Sequence, residues 1–173
     1  MVTSPLRKLK TIKAAGLFSR SAIGTCCINF VMQRIFRISS RFRYQIHFSS
    51  KVTTPTKVIL LGEGSNVIKC LALNGGIYIQ GSNGVDLHRS VLIAPGVKII
   101  SGNHNIHNFD APSVQTTKIE IMEDCWLGAN AVILPGVILL KNTIVGAGSV
   151  VTKSFHKENI TIAGNPARIV SER

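Results

Sequence analysis

Several common protein classes are set aside by what this 173-residue chain lacks. Its four cysteines, Cys26, Cys27, Cys70 and Cys125, show neither CxxC nor zinc-like spacing. No disulfide framework is indicated, and a reducing cytoplasm suits the chain best. No stretch is long enough to span a bilayer. In the N-terminal segment the longest uncharged run, Ser21–Gln33, has thirteen residues, against the ~20 that a spanning helix needs. Arg20 interrupts the only apolar region that could serve as a secretory signal. Acids are missing altogether up to Lys57, where eleven Lys or Arg fall; the remainder holds nine Lys or Arg against eight acids. Of the formal charge of +12, +11 therefore belongs to the N-terminal part and +1 to the rest, and such asymmetry points to an anionic surface as partner. Aromatics interleave with the Arg residues, but no recognised nucleic-acid module accompanies them, so nucleic acid is not an expected partner.

The length suits one domain, and 45% hydrophobic residues are ample for a core. Residues 1–56 read as a basic, helical N-terminal segment. In it Ile28, Val31, Ile35, Ile38 and Phe42 share one helical face, and Arg34, Arg37 and Arg41 a neighbouring one. A basic amphipathic helix of this kind suits an anionic membrane surface, so residues 1–50 are expected to make a peripheral contact there, at the inner face of the cell membrane. The competing expectation is a helix that covers one end of the core, its Arg residues solvated.

What the chain does have is a beat of six. From Ile121 every sixth residue is aliphatic: Ile121, Leu127, Ile133, Leu139, Val145, Val151. Two positions earlier the residues are compact: Ile119, Cys125, Ala131, Val137, Thr143, Ser149. A helix repeats near 3.6 and an ordinary strand near 2, so neither accounts for this period. A wound ribbon of very short parallel strands does, each aliphatic resting on its equivalent one coil away. Upstream, Leu61, Val67, Leu73 and Ile79 continue one frame, the frame slips by two residues across Gly81–Gly84, and Leu87, Ile93 and Ile99 hold the next. Residues 57–173 are thus expected to form the coil. The beat fails at 101–118, a polar stretch containing His104 and His107. An interruption this long should loop out of the coil, and long loops on rigid scaffolds commonly carry function.

Four stretches in order, Val91–Pro95, Ser101–His104, Cys125–Val137 and Val145–Lys153, with the ending Ala163–Val170, resemble the hexapeptide-repeat acyltransferases. The resemblance is clear over residues 85–170. It implies an all-β fold, a left-handed parallel β-helix with an N-terminal helical segment. It also implies a homotrimer with composite sites between subunits, and transfer of an acyl group from acetyl-CoA to a hydroxyl without a covalent enzyme intermediate or a metal.

Acyl transfer from a thioester to a hydroxyl needs a base near neutrality, which imidazole supplies. The resemblance puts His104 in that role, with His107 as the second candidate beside the acceptor. It assigns oxyanion stabilisation to the backbone amide of Ala129 and places Trp126 against the acceptor and the pantetheine arm. Coenzyme A is expected along Gly146-Ala147-Gly148, where small residues allow close approach. Ala147, Thr152 and Lys153 should contact it, and Arg168 should meet the nucleotide phosphates. For Lys153 and Arg168 the competing expectation is solvated surface charge.

Sugar acetyltransferases of the galactoside and maltose type carry an asparagine where Gly76 falls here, with Asn74 and Asn83 nearby. The chain therefore more closely resembles the branch that O-acetylates capsular, exopolysaccharide or lipopolysaccharide sugars. Rival expectations are a serine or other small-molecule acetyltransferase of the same fold, a zinc-dependent relative of the γ-carbonic anhydrases, and a non-catalytic scaffold. The acidic helical N-terminal region usual in serine acetyltransferases is absent. The zinc reading needs three histidines across an interface, yet only His104 and His107 lie close in sequence.

Overall fold

A computed structural model describes residues 20–108, 110, 114 and 116–173. Among these residues fourteen short strands, almost all paired in parallel, wind into a coil with three flat faces. Sheet A holds β1 (Lys51–Thr53), β3 (Tyr78–Gln80), β6 (Lys98–Ile100), β9 (Val132–Ile133) and β12 (Val150–Val151). Sheet B holds β2 (Val58–Leu61), β4 (Val85–His88), β7 (Ile119–Ile121) and β10 (Ile138–Leu139). Sheet C holds β5 (Leu92–Ile93), β8 (Trp126–Leu127), β11 (Ile144–Val145) and β13 (Ile160–Gly164), closed by antiparallel β14 (Ala167–Glu172).

The beat of six is one side of a triangle. Successive aliphatics go to sheets B, C and A in turn, so Ile121 pairs with Leu139, Leu127 with Val145 and Ile133 with Val151. All six are buried, as are the compact residues two positions before each. Full burial of one such side chain stabilises by roughly 1.5–3 kcal/mol, and repetition makes the column the main source of stability. A third beat makes the corners. Asp124, Asn130, Gly136, Asn142 and Gly148, also six apart, all have positive φ. That left-handed conformation is tolerated best by Gly, Asn and Asp, and it turns the ribbon from one face to the next.

Upstream, the frame departs from the sequence expectation. Leu61 is exposed, and its neighbour Leu60 is the residue that packs against the core, paired with Leu87. Val67 and Leu73 lie in a helix, α2 (Asn66–Leu73), not in a strand. Val67, Ile68, Leu71 and Ala72 are spaced for one face of that helix, and all are buried. Spacing by six there was coincidence with a helical period. Cys70, expected in the coil frame, also sits in α2, its sulfur accepting the Ile93 amide at 3.4 Å. The expected slip at Gly81–Gly84 is present: Ile79 pairs with Ile99 across a turn two residues longer than the regular one.

Before the coil lie α1 (Arg20–Phe30) and a wide π turn, Val31–Ile35. Ile28, Val31 and Ile35 do share a face, but it points to solvent. The side against the coil is Ala22, Asn29 and Gln33. Arg37 and Ser39 take positive φ and end the helical run, so Phe42 belongs to the core and not to that face. Among the described residues no helix is long and apolar enough to cross a membrane.

Candidate active site

The insertion at 101–118 leaves the coil at the corner between sheets A and B. Ile99 pairs with Ile133 across the loop, so the coil resumes in register on its far side. The neck is tied at several points. Ser101 is buried, its hydroxyl donating to the Gln80 carbonyl at 2.7 Å, while its amide reaches the same oxygen at 3.1 Å. Gly102 donates its amide to Gln80 Oε1 at 3.0 Å. From the slipped turn, Asn83 Nδ2 donates to the Val114 carbonyl at 2.9 Å and to Thr116 Oγ1 at 2.8 Å. Thr116 Oγ1 in turn donates to the Ser101 carbonyl at 3.1 Å, and Asn103 bridges Val114. Below the loop Lys118 reaches Asp86 at 2.5 Å and Glu120 at 3.6 Å. The hydrogen bond and charge of Asp86, with Glu120, hold the Lys118 pKa above its ordinary value.

His104 is the first residue beyond this tied neck, and it is exposed. His107 is exposed too, in a turn where its amide donates to Asn105 Oδ1 at 2.9 Å. Asp110 makes a similar turn on Asn108. Thr152 and Lys153 follow β12 on the same corner, two coils on, and are also exposed.

The other expected residues gather elsewhere. Trp126 points outward from sheet C in a ladder with Leu92 and Ile144, and Leu92 and Trp126 are 46% and 49% exposed. Ala129 and Ala147 occupy successive turns of the corner between sheets C and A, joined where the Gly148 amide meets the Ala129 carbonyl at 2.8 Å. Gly128 is required there, since a Cβ would come within 2.7 Å of the Ala147 nitrogen and the Val145 oxygen. Above Gly148 the space is open, with no atom within 4 Å of an added Cβ. Arg168 lies at the end of the same corner in β14, exposed, with one guanidinium nitrogen donating to the Ala167 carbonyl at 2.9 Å. Thus His104, His107, Thr152 and Lys153 line one edge of sheet A, while Ala129, Ala147 and Arg168 line the other, with Trp126 on the face beyond.

No thiol is set up as a nucleophile in the coil. Burial pushes the Cys125 thiol up to about 11, and burial also raises that of Cys70. A nucleophilic cysteine needs the opposite setting. His88 shares a hydrogen bond with Ser90 Oγ at 2.8 Å at the end of β4 on sheet B. Among the described residues no three His, Cys, Asp or Glu side chains converge as a metal cradle.

The neck was not legible in advance. Gln80, Asn83 and Thr116 carry no motif, and beyond the Ser101–His104 stretch and the gap itself only the slip at Gly81–Gly84 marks this corner as different from the rest.

Residues 118–153 match the family described as bacterial transferase hexapeptide (six repeats). The chain belongs to the hexapeptide-repeat acyltransferases, left-handed parallel β-helix enzymes that move acyl groups from coenzyme A. Among curated relatives it is similar to the "Putative lipopolysaccharide biosynthesis O-acetyl transferase WbbJ" of Escherichia coli (strain K12), with 30% identity over 141 residues, 73% of this chain and 71% of that protein. It is 36% identical over 90 residues to the galactoside O-acetyltransferase of the same organism, which covers 51% of this chain and 44% of that one. Among solved structures, a galactoside acetyltransferase in complex with coenzyme A superposes with a TM-score of 0.65 at 24% identity, covering 97% of this chain and 81% of the other.

Proposed function

We propose that this enzyme transfers an acetyl group from acetyl-CoA to a hydroxyl of a capsular, exopolysaccharide or lipopolysaccharide sugar, with His104 as general base. The observation that carries the reading is the placement of His104. It is exposed at the head of a looped-out insertion whose neck is fastened to the rigid coil. A base must be held within hydrogen-bond reach of the proton it takes, and an imidazole three residues beyond buried Ser101, at the end of the tied neck, is well placed for that.

In the proposed step the acceptor hydroxyl gives its proton to the His104 imidazole as its oxygen attacks the thioester carbonyl. The Ala129 amide stabilises the oxyanion that forms. When the C–S bond breaks, the imidazolium returns the proton to the departing thiolate of coenzyme A. The open space above Gly148 suits a pantetheine arm lying on the Ala147 turn, Thr152 and Lys153 contact the cofactor, and Arg168 faces the nucleotide phosphates.

The two edges of sheet A pose a problem that assembly solves. The base lies on one edge beside Thr152 and Lys153, and Ala129, Ala147 and Arg168 lie on the other, so one chain alone does not bring the base to the oxyanion donor and the phosphate-side Arg168. In a homotrimer the loop edge of one copy meets the sheet C side of the next, where Leu92 and Trp126 offer an apolar wall. Each site then draws on two copies.

The acceptor class rests on both kinship and geometry. The relatives named above bear the names of a putative lipopolysaccharide biosynthesis O-acetyl transferase and a galactoside O-acetyltransferase, and the residues here favour the first. Gly76 has a φ of 71° and no side chain to offer, Asn74 donates to the Ile93 carbonyl, and the Asn83 amide nitrogen is occupied in the neck. At the position in question a free galactoside therefore meets Gly76, and the amide nitrogens of Asn74 and Asn83 are already engaged. Polysaccharide units are commonly built on membrane-held carriers, so peripheral work at the inner face of an anionic membrane belongs to this reading. Thiol release from acetyl-CoA, followed across a panel of free, nucleotide-linked and lipid-linked sugars, tests it. The expected result is turnover with a polysaccharide precursor exceeding that with galactosides; the reverse ranking rejects the acceptor class.

A further inference from the structure

The segment α1 and its π turn are built inside out. The buried side carries amides: Asn29 Nδ2 donates to the Ala72 carbonyl at 2.8 Å, while Asn29 Oδ1 accepts the Phe48 amide at 2.9 Å. Gln33 Nε2 donates to the Tyr44 carbonyl at 3.0 Å, and Gln45 Nε2 to the Cys26 carbonyl at 2.7 Å. Ile28, Val31, Ile35 and Phe36 stand outward instead, Ile35 and Phe36 each 65% exposed. Rolling the helix over to bury them would strand the Asn29 and Gln33 amides, both nearly fully buried. Unsatisfied buried amides are costly, so the apolar side is locked facing out.

The covering partner is indicated by charge. Arg34, Arg37, Arg41 and Arg43 are all exposed beside this apolar strip, and the chain has no acid before Glu63. A second copy docked face to face would oppose like charges. An anionic bilayer offers both requirements, an apolar interior for the side chains and phosphates for the guanidinium groups.

We propose that Ile28, Val31, Ile35 and Phe36 insert into the interfacial layer of an anionic phospholipid membrane, with the flanking Arg residues on its phosphates. The proposal deepens the membrane location included in the functional reading by naming the seat of contact. It also changes the expected physics, since apolar insertion persists where salt screens the charges.

Flotation of the full chain tests it, using phosphatidylcholine vesicles with and without phosphatidylglycerol. The wild type should float with anionic vesicles at low salt and retain a measurable bound fraction at 1 M salt. Val31→Glu/Ile35→Glu should lower binding at least tenfold under both conditions, whereas Arg34→Gln/Arg41→Gln should lower it mainly at low salt. Ile35→Ser/Phe36→Ser, milder for the helix, provides the same comparison if the acidic variant is poorly folded by circular dichroism. Thiol release with a soluble sugar should be unchanged in all three. A wild type that stays in the soluble fraction, or binding lost completely to salt, overturns the proposal. So does an Ile35 variant whose sole effect is a smaller assembly in sedimentation, because the face would then belong to a second copy. Vesicle binding is read without acetyl transfer, so failure here and failure of the enzymatic reading are told apart.

Discussion

Residues 119–153 and residues 20–80 are both rich in aliphatics, yet they use them in different ways. In the first stretch each aliphatic meets its counterpart one coil away, and the period states the contact directly. In the second, helix α1 precedes the coil and α2 interrupts it, and the fold depends on tertiary docking through amides such as Asn29 and Gln33. A repeat writes its packing into the sequence; a docked helix does not. The loop at 101–118 stands between these cases, since its existence shows as a gap in the beat but its fastening does not.

The comparison is sharpened most strongly at the loop. His104→Ala should lower kcat by roughly 10²–10⁴-fold, with acetyl-CoA affinity nearly unchanged, and His107→Ala should be far milder. Steady-state kinetics with isothermal titration of acetyl-CoA checks both. Equal losses in the two variants would mean that the loop, and not one imidazole, is what matters.

Next comes the contrast between coil and interruption. Ile133→Ala, in the column, should cost about 2–5 kcal/mol of stability, whereas Leu61→Ala, one residue off the inward position, should stay within about 0.5 kcal/mol. Denaturant unfolding measures both. Gly128→Ala should fall between them, roughly 1–3 kcal/mol, because its methyl group would press on the turn above.

Asn83→Ala probes the fastening. Val114 is exposed, so water replaces the lost bond and the stability cost should be near 1 kcal/mol. kcat should fall much more than KM for acetyl-CoA rises, and amide exchange at 103–108 should quicken. A neck that serves stability alone would leave kcat untouched.

The smallest expected effect concerns Cys125. Its thiol titrates near 11 in the fold, above the ordinary value of 9.0, because burial disfavours the thiolate. A raised folded pKa means that its contribution to stability is complete below pH 9 and is lost as pH climbs from 9 towards 11. Iodoacetamide at pH 8 should modify exposed Cys27 and spare Cys125, and Cys125→Ala should flatten the alkaline limb of a stability–pH curve.

Much of the coil was legible because Ile121, Leu127 and their successors obey one physical rule without exception. The frame at Leu61, Val67 and Leu73 failed because a helical face and a beat of six overlap over so few residues, and only packing decides between them. The corner positions Asp124, Asn130, Gly136, Asn142 and Gly148 carry their own beat of six, legible in the sequence as turn-forming residues. For the proposed site, the gap drew attention to His104 and His107 alike and the resemblance through Ser101–His104 singled out His104, while Gln80, Asn83 and Thr116 act through side-chain bonds that no spacing announces. The outward turn of Ile28, Val31 and Ile35 was hidden for the same reason: amphipathicity gives a face but not the side it is turned to.

The central claim is that base and cofactor edges come from different copies. Subunit mixing tests it most directly. His104→Ala and Arg168→Ala are each prepared as weakly active proteins, then dissociated, combined in equal amounts and reassembled. Sites shared between neighbours predict recovery, at limiting acetyl-CoA, approaching roughly a quarter of wild-type activity from random assortment in a cyclic trimer. Activity equal to the mean of the two parents would place base and cofactor residues in one chain and contradict the account.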